Sequence, residues 1–256
     1  MCTVSWLRQE DGYVLYCNRD ERRTRKPALG PRAAILNGVC NVAPVDQDQG
    51  GSWIGVNEFG LSLCLLNRYQ DSPATDINYN SRGWLVRSLL DCKDTETVIE
   101  GVQTCDLKCF RPFTLAVLSA DKPAARVNWT GHDCLIRADA EAEMPLTSSS
   151  FDDSSVNKLR REQLTKLISE TGRLDAEALK QFHSAHLPER GPMSVCMHRL
   201  DACTVSLSMI RVEHKSIEFL YHPAAPCAVA MTEQVRIGRK GKGEGAKGKG
   251  SMCRSL

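Results

Sequence analysis

Residues 3–8 alternate, with Thr3, Ser5 and Leu7 against Val4, Trp6 and Arg8, the two-residue period of a two-faced strand. Asp11-Gly12 separates this run from Tyr13-Val14-Leu15-Tyr16-Cys17, and Asp-Gly between two β-rich runs is a strong hairpin signal. The second strand continues into Asn18-Arg19-Asp20-Glu21, and the basic, proline-containing stretch from Arg22 to Pro31 reads as loop. A second hairpin is predicted from Ser52-Trp53-Ile54-Gly55-Val56 and Leu61 to Asn67, around a turn at Asn57-Glu58-Phe59-Gly60.

Between Asn80 and Gln103 the period becomes helical: Leu85, Val86, Leu89 and Leu90 follow a cap candidate at Ser81, and Val98, Ile99 and Val102 follow Asp94 and Thr95. Phe113 to Leu118 and Arg126 to Trp129 read as strands. Ser154 to Glu170 and Leu174 to His186 read as a second helical pair, stopped between by Gly172. Three β segments close the body: Met193 to Arg199, Thr204 to Val212 and Ile217 to Tyr221. Strands in hairpins interrupted by helix pairs differ from the βαβα alternation of a parallel sheet, and predict an α+β domain of antiparallel sheets covered by paired helices.

Composition is that of a globular chain: 256 residues, 42% hydrophobic and 25% charged. The formal charge of +2 divides unevenly. Residues 236–256 carry seven Lys or Arg against Glu244, and removing that +6 leaves −4 on the body. The expected organisation is therefore a domain over 1–235 and a disordered Gly/Lys-rich tail over 236–256, with no basic face for specific nucleic-acid binding. No apolar run approaches the roughly 18 residues that cross a bilayer. The first residues lack a secretory pattern, so the expected location is cytoplasmic. Twelve scattered Cys with no C-x-x-C read as small buried hydrophobes in a reducing compartment.

Cys2 reads differently. Met before a small residue is normally removed, which would put the thiol and an α-amino group on one carbon, nucleophile and base in one residue. Met1-Cys2-Thr3, Asn18-Arg19-Asp20-Glu21, Gly50-Gly51-Ser52-Trp53-Ile54-Gly55, Asn57-Glu58-x-Gly60-Leu61 running to Asn67, and Leu146-Thr147-Ser148-Ser149 together resemble the NRDE family, relatives of the transport-and-Golgi-organisation protein 2. That family in turn looks like N-terminal-nucleophile hydrolases of the choloylglycine hydrolase and penicillin V acylase type. The resemblance implies a four-layer αββα sandwich that cleaves linear amide C–N bonds.

On that resemblance Cys2 is the nucleophile, Asn18 and Asp20 fall on the motif whose Asp contacts the nucleophile's amino group, and Asn67 serves the oxyanion hole. Cys17 stands where those hydrolases have Arg, with Arg19 beside it as the substitute. Ser148 replaces their second oxyanion Asn, and Asn57 and Arg199 are further oxyanion or substrate-side candidates. No cofactor or metal is implied. His183-x-x-His186 has ligand-like spacing on a predicted helix but no third ligand or adjacent Glu, and reads as two helix-end histidines. The face of Lys158, Arg160, Arg161 and Lys166 reads as solvated. The expected partner is a small acyl or amide substrate, its pocket shaped by loops such as 69–79 and 138–145. The alternative is a non-catalytic protein of the same fold that holds a hydrophobic ligand, an acyl lipid or haem.

Overall fold

The computed structural model describes residues 2–69 and 79–241. The first hairpin forms as expected, from β1 (Cys2–Gln9) and β2 (Gly12–Arg22). Gly12 is required there, because a Cβ would overlap the carbonyl of Val212 on a later strand. Next come β3 (Leu29–Leu36) and β4 (Val39–Val45), which the sequence reading missed, then β5 (Ile54–Asn57) and β6 (Ser62–Asn67). Helix α1 (Arg82–Ser88) begins after Ser81. Helix α2 (Thr95–Thr104) is closed by a capping box in which Asp94 accepts from Thr97 N and Thr97 Oγ1 accepts from Asp94 N.

Strands β7 (Phe113–Leu118), β8 (Ala125–Trp129), β9 (Cys134–Arg137) and β10 (Leu146–Ser148) precede the second helix pair. That pair is α3 (Asp153–Thr171) and α4 (Ala176–Ser184), divided by Gly172 at φ +73. The chain continues through β11 (Ala202–Val212), β12 (Ser216–His222) and β13 (Glu233–Gly238).

Two antiparallel sheets result, one ordered β10-β1-β2-β11-β12-β13 and the other β3-β4-β5-β6-β7-β8-β9. Val4, Trp6, Leu15, Ile54, Ile210 and Phe219 pack between them. Outside the second sheet, α1 and α2 bury Leu85, Val86, Val98 and Val102 against Leu63, Leu65 and Leu115. Outside the first, α3 and α4 bury Leu164, Leu179 and Phe182 against Val14 and Tyr16. The layers are thus helix, sheet, sheet, helix, the predicted αββα order. Among the described residues no helix is long and apolar enough to cross a membrane.

One expected strand is absent, and another strand crosses the expected end of the domain. Met193 to Arg199 is not a ladder strand: its polar backbone goes to side chains and turns, with one isolated bridge at His198 and Cys203. The boundary at residue 235 falls inside β13, where Val235 and Ile237 are buried and Arg236 pairs with Glu218 of β12. The loop over 70–78 and the basic tail from 242 lie outside the described residues.

Candidate active site

Cys2 opens β1, pairing with Ser148 of β10 on one side and Arg19 of β2 on the other. Its N–H donates to Ser148 Oγ at 3.2 Å. The alternation that sends Val4 and Trp6 between the sheets sends the Cys2 side chain there as well, into the same cluster as Cys17 and Cys64. Cys17 and Cys64 hold their sulfurs 3.4 Å apart. A hydrogen bond with the Cys17 thiol, then burial, push the Cys2 thiol well above its ordinary value. With its nitrogen in a peptide bond, Cys2 is a neutral thiol.

Alternation also divides Asn18-Arg19-Asp20-Glu21 between two faces. Asn18 faces the helix layer: its Nδ2 donates to the carbonyls of His183 (2.9 Å) and Val195 (3.0 Å). Its Oδ1 must therefore be what meets His183 Nδ1 at 3.1 Å, so that nitrogen carries the proton. His183 Nε2 then accepts from Ser5 Oγ at 2.8 Å. Burial, and after it the charge of Arg160, push this imidazole down to about 3, so it stays neutral.

Asp20 lies on the same face and is 1% exposed. Thr204 Oγ1 donates to its Oδ1 at 2.6 Å, and Arg160 Nη1 stands 4.0 Å from its Oδ2. Burial raises the carboxyl and the Arg160 charge pulls against it. Arg160, also 1% exposed, donates to Thr3 Oγ1 (2.6 Å) and to the carbonyls of Ser194 (2.5 Å) and Met193 (3.3 Å). The solvated face expected for α3 holds at Lys158, Arg161 and Lys166, which are exposed, and is corrected at Arg160. The available signal was spacing, since Val156, Arg160 and Leu164 form one i, i+4 stripe and are the buried residues of the helix.

Arg19 and Glu21 face the other way. Arg19 stacks on Trp53, 4.1 Å from the ring centroid, and reaches Asp46 Oδ2 at 2.5 Å and Glu21 at 3.5 Å. Burial raises the Asp46 carboxyl, but the Arg25 hydrogen bond and the charges of Arg19 and Arg25 outweigh it, leaving Asp46 below its ordinary value. Arg19, Glu21 and Arg25 enter a cleft of about 480 Å³. Arg19, Arg22, Arg23, Arg25, Lys26 and Arg190 line it with one carboxylate, Glu21, and Tyr221, Pro223 and Ala224 add apolar wall. Arg19 and Thr204 join cleft and cysteine, for both line the cleft while one pairs with Cys2 and the other bonds Asp20. No sequence pattern pointed to Thr204 or Asp46.

The remaining candidates are more dispersed. Ser148 touches Cys2 as described. Asn67 ends β6 and donates to Tyr69 Oη at 3.0 Å. Asn57 is fully engaged in its own hairpin, with Nδ2 on the carbonyls of Leu90 and Cys92 and Oδ1 accepting from Phe59 and Leu61. Arg199 forms a bidentate pair with Asp201 at 2.7 and 2.9 Å. His183 and His186 point apart, the first into the Asn18 network and the second toward His198.

Among solved structures, the chain is similar to the penicillin V acylase from Agrobacterium tumefaciens, at 13% identity and TM-score 0.55 over 92% of this chain and 86% of that one. It is also similar to a mutant conjugated bile acid hydrolase from Clostridium perfringens, at 12% and 0.57 over 92% of each chain. A third is the Caenorhabditis elegans ortholog of N-acylethanolamine-hydrolyzing acid amidase, at 16% and 0.57 over 82% of this chain and 92% of that one. At these identities the likeness is one of fold, and the fold is that of the N-terminal-nucleophile hydrolases. In sequence, residues 1–215 match the family Transport and Golgi organisation 2, and the chain belongs to that family. No curated protein matches it in sequence.

Proposed function

We propose that this protein is an N-terminal-cysteine amidohydrolase acting on a small amide with an anionic group, active once the residue before Cys2 is removed. The observation that carries the reading is the adjacency at β2: Cys2 pairs with Arg19, and Arg19 lines a cleft with five other cationic side chains. A carboxylate or phosphate in that cleft would hold an amide near the start of β1. Removal of residue 1 turns an amide into an amine of pKa roughly 7.7–8, a base able to take the thiol proton.

The thiolate then attacks the amide carbon, and Asn67 with backbone N–H groups supports the oxyanion. The C–N bond breaks as the ammonium returns its proton to the leaving amine. Water hydrolyses the thioester, releasing the acid. Asp20, held by Thr204 and Arg160, orients the new ammonium.

Intact mass shows whether residue 1 is lost, and a screen of N-acyl amides with acidic or neutral ends tests turnover. Cys2→Ala should lower turnover by about a thousandfold or more with the fold intact. Full activity in that variant, or equal turnover of neutral amides, removes the assignment. One observation favours ligand binding without turnover, that of a hydrophobic ligand in the same fold: the thiol is pushed up and its nitrogen is bonded to Ser148. That reading predicts no selective labelling of Cys2 by a thiol probe at neutral pH.

A further inference from the structure

We infer that His186, Cys196, His198 and Cys227 form a structural zinc site, remote in kind from the proposed chemistry of Cys2. One ligand atom from each lies within 4.8 Å of all the others. His186 Nε2 and His198 Nε2 are 3.2 Å apart, and Cys196 Sγ and Cys227 Sγ each lie 3.5 Å from His198 Nε2. Zinc–nitrogen bonds of about 2.0–2.1 Å and zinc–sulfur bonds of about 2.3 Å, set tetrahedrally, give edges of about 3.3 Å between nitrogens and about 3.6 Å between nitrogen and sulfur. The three separations around His198 Nε2 fall on those edges.

Pairwise hydrogen bonding does not explain the cluster. His198 Nε2 offers one N–H or one lone pair, yet three groups from three segments converge on it. Convergence on a shared point suits a cation. Two thiolates and two neutral imidazoles neutralise a divalent ion, and this soft and borderline donor set selects zinc, with four protein ligands marking a closed, structural site. A zinc-bound His198 has only to release the partly exposed approach of Arg190 Nη2 to its Nδ1, which at 3.5 Å is a weak contact.

The donors come from chain without regular structure. His186 follows α4, Cys196 and His198 lie in the segment where a strand was predicted, and Cys227 follows β12. The same segment supplies the carbonyls of Met193, Ser194 and Val195 to Arg160 and Asn18. A zinc ion would therefore fix the acceptors of both buried networks, together with the cleft wall at His198 and Ala224. In the sequence the ligand-like spacing is that of His183 and His186, a pair that the fold separates.

The test uses the full chain, purified without chelator, with zinc content measured by mass spectrometry and cobalt(II) as the spectroscopic probe. The expected result is about one zinc per chain and a tetrahedral cobalt spectrum with thiolate charge transfer. Cys227→Ser, on an exposed loop, and His186→Gln should each weaken zinc binding by about a hundredfold or more while far-UV circular dichroism is unchanged. Cys109→Ser, distant from the cluster, should leave the stoichiometry unaltered. The inference is overturned if the wild type takes up no zinc, if cobalt is octahedral, if Cys227→Ser and His186→Gln bind zinc as the wild type does, or if peptide mapping finds Cys196 and Cys227 joined as a disulfide.

Discussion

Two buried polar groups sit side by side on one face of the first sheet, and they differ in charge. Around Asn18, every donor meets an acceptor among His183, Val195 and Ser5, and all are neutral. Around Asp20, a carboxylate and a guanidinium are both withdrawn from water with 4.0 Å between them. A satisfied neutral network fixes α4 and the segment beyond it to β2 and needs no other purpose. A buried ion pair gives little net stability for its desolvation cost, and its place next to the start of β1 is the one that the proposed mechanism uses.

The largest expected effect separates these roles. Arg160→Met strands Thr3 Oγ1 and the carbonyls of Ser194 and Met193 and takes the guanidinium charge away from Asp20, and should lower unfolding free energy in urea by about 3–5 kcal/mol. Asn18→Ala strands two carbonyls and the His183 Nδ1–H, and should cost about 2–3 kcal/mol. A loss for Asn18→Ala equal to that for Arg160→Met would erase the distinction.

Acid should act through His183. The folded state keeps this group neutral to about pH 3 while the unfolded chain protonates it near 6.5, so the unfolded state binds more protons between those values and stability falls as pH falls. Going from pH 7 to 5 should cost about 2 kcal/mol through this group, a share that His183→Gln lacks. Smallest in stability is Asp20→Asn, about 1–2 kcal/mol, since Arg160 keeps its bonds to Thr3, Ser194 and Met193 and the bond from Thr204 to Oδ1 survives. In the processed protein the same substitution should reduce turnover far more than it reduces stability, a split that Asn18→Gln does not produce.

How legible this was from sequence depends on where the information sits. The first hairpin, Phe113 to Leu118 and the Gly172 stop were readable because alternation, turn residues and caps are local. Strands β3 and β4 were not: Gly30, Pro31 and Arg32 break the pattern, and Leu29 and Ile35 are exposed, as an edge strand allows. Cys2, Asp20 and Ser148 could be nominated by motif, yet Thr204, Asp46 and Arg160 come to them only through the sheet and helix layers. Resemblance grouped Asn18 with Asp20, whereas their hydrogen bonds assign them different work.

Strand β2 lies between β1, its hairpin partner, and β11, which enters the sheet much later in the chain. The bond between Thr204 and Asp20 spans 184 residues, and Arg239 reaches back to the carbonyl of Asp11 across 228. During synthesis, an N-terminal domain edge cannot close by itself here: β2 waits for its second neighbour until most of the polypeptide has left the ribosome. High contact order of this kind slows folding. The carboxyl beside the cysteine is therefore covered only when the chain is nearly complete, so nascent fragments carry Cys2 without its surroundings.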